Sequence, residues 1–106
     1  MTAQQAKELS LEIWNYLAEH PEITHKTELP YELFAKIKDM VLYCPLCEYF
    51  LCDVGLFFTC SCCPLHTCST HNSLHTNWAR SVSSEDRGYY ARKIANAIDS
   101  WDPGTV

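Results

Sequence analysis

Glycine is scarce in this chain, with three residues in 106, which excludes long flexible linkers. No run approaches the roughly 18 apolar residues of a membrane span, so no membrane partner is expected. Basic residues are also few: 8 Lys and Arg stand against 13 Asp and Glu, for a net charge of −5. Such a balance lacks the broad cationic surface that grips phosphate backbones, and it disfavours a nucleic-acid partner. The deficit is sharpest in the middle. Lys38 is the last basic residue before a long gap and Arg80 the first after it, while Asp39, Glu48 and Asp53 fall between them. The opening MTAQQAKELSLEIW has neither the basic n-region nor the apolar core of a secretory signal. The expected location is therefore the reducing cytoplasm.

What the chain does hold is cysteine. All seven lie between Cys44 and Cys68, in CPLCEYFLCDVGLFFTCSCCPLHTC. In a reducing compartment disulfides are rare, and paired CxxC spacings indicate metal. An odd count also fits thiolate ligation better than a closed disulfide set. Hydrophobic residues make up 47% and charged residues 20%, a globular composition. A chain of this length is one domain. Its parts are expected to be a helical portion over 1–42, a cysteine-rich zinc segment over 43–80 and a C-terminal helix over 83–101.

The flanks carry helical periodicity. Thr2 and Gln5 have capping-box spacing, and Ala6, Leu9, Ile13, Trp14 and Leu17 then recur at three- and four-residue steps. His20-Pro21 closes this first helix, because the residue before proline is pushed out of helical geometry. Residues Glu22 to Leu29 read as a solvated connector with His25 within it. Thr27 or Leu29 can cap a second helix that has Pro30 in its first turn and buries Leu33, Phe34, Ile37 and Met40 or Val41. The segment STHNSLHTNWARSVSS after Cys68 reads as a loop anchored by Trp78. Ser83 or Ser84 starts the last helix, with Glu85 and Asp86 at its positive end. Tyr90, Ile94, Ala97, Ile98 and Trp101 form its apolar stripe, and Asp102-Pro103-Gly104 stops it. The fold class is therefore mainly α: two N-terminal helices and one C-terminal helix around a loop-rich zinc knuckle. Val54 to Thr59 allow a short β-hairpin around Gly55.

Within the knuckle segment, Cys44-Pro45-Leu46-Cys47 lets two thiolates face one cation while backbone amides turn toward the sulfurs. Twelve residues separate Cys47 from Cys60, and Cys60-Ser61-Cys62-Cys63 supplies a second CxxC. This array matches one structural Zn²⁺ in a four-thiolate site. Cys44, Cys47, Cys60 and Cys63 rank first as ligands, with Cys44, Cys47, Cys63 and Cys68 close behind. His66 is the alternative in a three-cysteine site. Cys62 competes with its neighbour Cys63, and Cys52 reads as a packed thiol. Four thiolates around zinc are formally −2, and the segment has no cation of its own. Backbone N–H···S bonds must carry that charge, aided by helix N-termini or Arg80.

Several runs together carry a resemblance. Trp14-Asn15-Tyr16-Leu17, Lys26-Thr27-Glu28-Leu29-Pro30, CPLCEYF, the CxxCPL of Cys60 to Leu65 and the later Cys68 resemble a group of small bacteriophage zinc-binding proteins. The resemblance covers most of the chain and is specific chiefly in its cysteines. It implies phage origin, zinc binding and the host cytoplasm, and it brings no established activity. The longer stretch between knuckles and the extra Cys52 and Cys62 depart from that group and leave the fourth ligand open.

Catalytic readings fit poorly. A catalytic zinc keeps an open position beside a general base, and neither knuckle here is preceded by the proline of a deaminase PCxxC. His66, His71 and His75 loosely suggest an HNH-type nuclease, but their spacing is wrong. CPLC lacks the strand–helix setting of a thiol oxidoreductase. The expected function is a binding module rather than an enzyme: a regulator or inhibitor acting through protein–protein contacts. A nucleic-acid module using Arg87, Arg92 and Lys93 is the alternative. The apolar surplus of the knuckle segment (Leu42, Tyr43, Leu46, Tyr49, Phe50, Leu51, Val54, Leu56, Phe57, Phe58, Leu65) is expected partly to pack under the helices and partly to form an exposed patch.

Overall fold

The computed structural model describes residues 1–40, 43–49 and 74–103. These residues are mainly helical and include no strand. The hairpin expected over 54–59 lies outside them.

Helix α1 (Ala3–Glu19) begins at the expected capping box: the Gln5 amide donates to Thr2 Oγ1 at 3.1 Å and the Thr2 amide to Gln5 Oε1 at 2.8 Å. Ala6, Ser10, Ile13, Trp14 and Leu17 are its buried face. His20 caps the other end, its amide bonded to the Tyr16 carbonyl and its ring stacked on Tyr16 at 4.0 Å. The connector then forms a 3₁₀ turn over Lys26–Glu28, from which Leu29 leads into α2 (Tyr31–Ile37). Pro30 sits at the N-cap of α2, one residue ahead of the first turn, and no side chain caps this helix. Ile37 is buried, with Leu33, Phe34 and Met40 packed around it.

Beyond α2 come a single-turn helix α3 (Pro45–Cys47), α4 (Leu74–Arg80) and α5 (Ser84–Asp99). Helix α4 corrects the sequence reading, which made this segment a loop. Thr76 and Asn77 within it, and the Ser, Thr and Asn residues that flank it, disguise it, because only Leu74 and Trp78 keep the four-residue apolar step. Burial of Trp78 against Trp14, centroids 5.1 Å apart and nearly perpendicular, decides the outcome. Tertiary packing here overrides weak propensity. Ser83 is the N-cap of α5, accepting from the Asp86 amide at 3.1 Å. Ala91, Ile94, Ala95 and Ile98 are the buried positions of α5, with Tyr90, Ala97 and Trp101 half-buried beside them.

The main packing is α1 along α5, with α4 against α5 and α3 against α1. Two cations tie the layers. Lys7 of α1 donates to the carbonyls of Asp99 and Trp101 at 3.0 and 2.7 Å, placing positive charge at the negative end of α5. Arg87 of α5 donates through Nε to the Pro21 carbonyl at 2.7 Å and through Nη1 to the Ser81 carbonyl at 3.2 Å. Gly88 follows, where an added Cβ would stand 3.4 Å from that of Pro21, in van der Waals contact.

Candidate metal centre

Three features of the chain leaving α2 build the first knuckle. Tyr43 adopts φ 51°, a left-handed conformation that costs a non-glycine residue on the order of 1 kcal/mol. Its ring meets Phe34 at 5.2 Å, which offsets part of that cost. Cys44 is then the extended N-cap of α3, Pro45 takes the position where its missing N–H is harmless, and Leu46 is 1% exposed in the core. The knuckle is thus plugged into the helical body by the residue between its two cysteines. Cys44 and Cys47 are both half-buried thiols rather than disulfide halves.

The electrostatics at Cys44 are those of a thiolate. Its thiol is pulled down to about 6, first by the hydrogen bond with the Cys47 side chain, then by the charge of Lys26 and by the amides of Cys47 and Leu46, all against the opposing effect of burial. This is the amide-to-sulfur pattern expected of a CxxC knuckle, and it stabilises the ionised form that binds metal.

Lys26 is the feature the sequence reading missed. It belongs to the connector read as solvated, yet it is only 8% exposed. Its Nζ donates to the Tyr43 carbonyl at 3.2 Å and stands 5.1 Å from the Trp14 ring centroid, in cation–π range. The cation acting on Cys44 therefore comes from 18 residues upstream, not from the knuckle segment. Nothing local announced it; a lysine between Thr24-His25 and Thr27-Glu28 carries no burial signal.

His75 of α4 completes the surroundings. Its ring lies 5.9 Å from Trp14 and 6.1 Å from Trp78, and burial, followed by the charge of Lys26, pushes it down to about 4. It is a neutral imidazole at physiological pH. Thr24, Lys26, Tyr43, His75 and Trp78 share the wall of a cleft of about 250 Å³. The Trp78 Nε1–H, buried here, has no hydrogen-bond partner among the described residues. The connector's His25 pairs with Glu28 at 3.3 Å on the surface.

Among the described residues no three His, Cys, Asp or Glu side chains come together as a metal-holding group. Of the expected ligands only Cys44 and Cys47 are described, and no described His, Cys, Asp or Glu, His75 included, makes a three-residue group with them. Cys60, Cys63 and Cys68, the alternative His66, and Cys52, Cys62 and His71 all lie outside the described residues. The donor chemistry at Cys44 and Cys47 suits Zn²⁺: two thiols in register, amides turned to one sulfur, and a cation nearby. No described helix is long and apolar enough to cross a membrane. Compared with family models, curated proteins and solved structures, the chain finds no match.

Proposed function

We propose that this protein is a zinc-stapled binding module, with one structural Zn²⁺ held by Cys44 and Cys47 and by two further ligands from Cys60, Cys63 and Cys68. Its role is that of a phage-type regulator or inhibitor acting on a protein partner in the host cytoplasm. The observation that carries the metal reading is the Cys44–Cys47 turn: a thiol biased toward thiolate, beside a second thiol, on a turn anchored in the core by Leu46. Such a turn is the half-site of a four-thiolate zinc.

A protein partner is favoured over nucleic acid by how the basic residues of α5 are used. Arg87 is committed to two backbone carbonyls, Arg92 donates to Asn15 Oδ1 at 2.7 Å, and Lys93 lies 5.1 Å from the Tyr89 ring centroid. Exposed aromatic and apolar side chains remain at Tyr31, Val82 and Tyr89; these suit contacts with protein better than with phosphate.

The test is metal analysis of the purified chain, followed by thermal melting with and without a strong chelator. One zinc per chain, lost on Cys44→Ser or Cys47→Ser, is expected. Chelation should lower the melting temperature steeply, since structural zinc in small modules contributes apparent binding energies of about 10–16 kcal/mol. Unchanged melting after complete chelation would sink the metal reading. A strongly salt-dependent shift of DNA or RNA would overturn the choice of partner.

A further inference from the structure

Between the connector and α4 lies a cleft of about 250 Å³ that no cysteine lines. Tyr43, His75 and Trp78 bring three rings to this one space, and no Asp or Glu stands among its lining residues. Aromatic walls of this kind accept a flat, apolar body by stacking or edge contact.

The polar groups of the cleft favour a negative charge. Lys26 is 8% exposed, donates to the Tyr43 carbonyl and lies over the Trp14 ring. It makes further contacts, and its positive charge is still felt at His75, where it adds to burial in holding the ring neutral. A neutral imidazole carries one N–H donor, and neither ring nitrogen of His75 has a hydrogen-bond partner among the described residues. The Trp78 indole N–H in the same wall is a second donor without an acceptor among the described residues, and buried donors are rarely left so. It is closed to water as the wall stands, so a ligand oxygen reaches it with a side-chain shift. Glu28 stands outside the lining. Its carboxylate accepts from the Thr24 hydroxyl at 2.7 Å and pairs with His25 Nδ1 at 3.3 Å, and the Thr24 bond lowers its pKa and keeps it ionised. Thr24 and His25 both line the cleft, so this carboxylate sits near the mouth and repels a second negative charge there.

We propose that the cleft binds a small aromatic monocarboxylate of one or two rings. Tyr43 and Trp78 take the ring system, while the His75 N–H and the positive field of Lys26 take the carboxylate. The volume falls just below the roughly 300–1,000 Å³ of sites for drug-sized molecules, which sets the limit of one or two rings. The site needs neither metal nor cysteine, so it stands or falls apart from the zinc reading.

The test titrates the full-length protein near pH 7 with indole-3-carboxylate and with its uncharged amide, indole-3-carboxamide. Binding is followed by ¹H–¹⁵N NMR at the indole N–H of Trp78, a resonance assigned by its loss in Trp78→Phe. For a ligand of this size a Kd of about 0.1–1 mM is expected. The amide should bind about tenfold more weakly, because it lacks the charge. Ala79 is exposed on α4 and lines the cleft, so Ala79→Leu fills the space from the surface and leaves the core untouched. It should weaken binding of the carboxylate by about tenfold or more. Lys26→Gln should bring acid and amide to equal affinity; if that variant does not fold, the amide comparison in the wild type and Ala79→Leu still decide. The absence of a saturable shift up to about 10 mM carboxylate, tenfold above the weakest expected Kd, would overturn the proposal. Equal affinities for acid and amide in the wild type would overturn it too, as would binding that Ala79→Leu leaves unchanged.

Discussion

Replacing Leu46 by alanine separates a knuckle that is part of the core from one that merely hangs beside it. Leu46 is 1% exposed, lies between the two cysteines on α3, and α3 packs on α1. Truncation removes three carbon atoms from a filled site. The lost transfer energy plus the cavity puts the cost of Leu→Ala at such a position at about 2–5 kcal/mol, and about 3 is a fair central value. For a domain of this length, unfolding entropy near 60 °C is about 0.2 kcal/mol/K. A loss of about 3 kcal/mol therefore lowers Tm by roughly 13 °C, and at a urea m-value of about 1.5 kcal/mol/M it moves the midpoint by about 2 M. Urea and thermal unfolding followed by far-UV circular dichroism and tryptophan fluorescence measure both, with Tyr31→Ala, 78% exposed, as the control expected within ~0.5 kcal/mol of wild type. Zinc affinity should fall in parallel although no ligand is touched, because metal binding and folding are coupled. A Leu46→Ala protein within 0.5 kcal/mol of wild type would refute the argument that the knuckle is docked in the core.

Two other perturbations follow from buried polar groups. His75 is pushed down to about 4 from the ordinary value near 6.5, so below that value the unfolded chain binds a proton that the folded chain resists. Its contribution is complete above about pH 6.5 and is lost progressively as pH falls toward 4, on the order of 3 kcal/mol in total. Stability measured by urea unfolding between pH 7 and 4.5 should decline less steeply in His75→Gln than in wild type, and parallel slopes would contradict this. Ser10 is 1% exposed and its Oγ has no partner among the described residues. Ser10→Ala removes an unsatisfied hydroxyl from a helix interior and should stabilise by about 1 kcal/mol, read as a Tm rise of about 4 °C; a lower Tm would mean that the hydroxyl is satisfied.

What could be read from the sequence divides along physical lines. Helix starts set by local bonds were legible, because Thr2 with Gln5 and Ser83 with Asp86 need only three-residue reach. The α1 stripe was legible for the same reason, and the structure changed it only by burying Ser10 and leaving Leu9 half-exposed. Helix α4 was hidden: its polar composition matches a loop, and it is held by Trp78 against Trp14, 64 residues away in sequence. Arg87 illustrates the same limit. In the sequence it is one of three cations offered to a nucleic acid, yet the Pro21 carbonyl, 66 residues earlier, accepts from it. The CxxC spacing placed Cys44 and Cys47 as a pair, while the choice among Cys60, Cys63, Cys68 and His66 depends on residues outside those described.

The charge problem of the knuckle shows why local reading stopped where it did. Counting cations along the segment leads to the conclusion that backbone amides must balance the sulfurs, aided by helix N-termini or Arg80. Counting in space gives a different result, because the ammonium acting on Cys44 enters from the connector behind α1. Trp14 is what makes that possible. Its 2%-exposed indole meets Lys26 on one side and His75 and Trp78 on another, so a single core residue of α1 organises the cation, the neutral imidazole and the wall of the cleft. A tryptophan on a helix face can be a stacking platform for an external ligand or a core residue. Its burial makes it core, but core of a particular kind, through which the helical body reaches the knuckle.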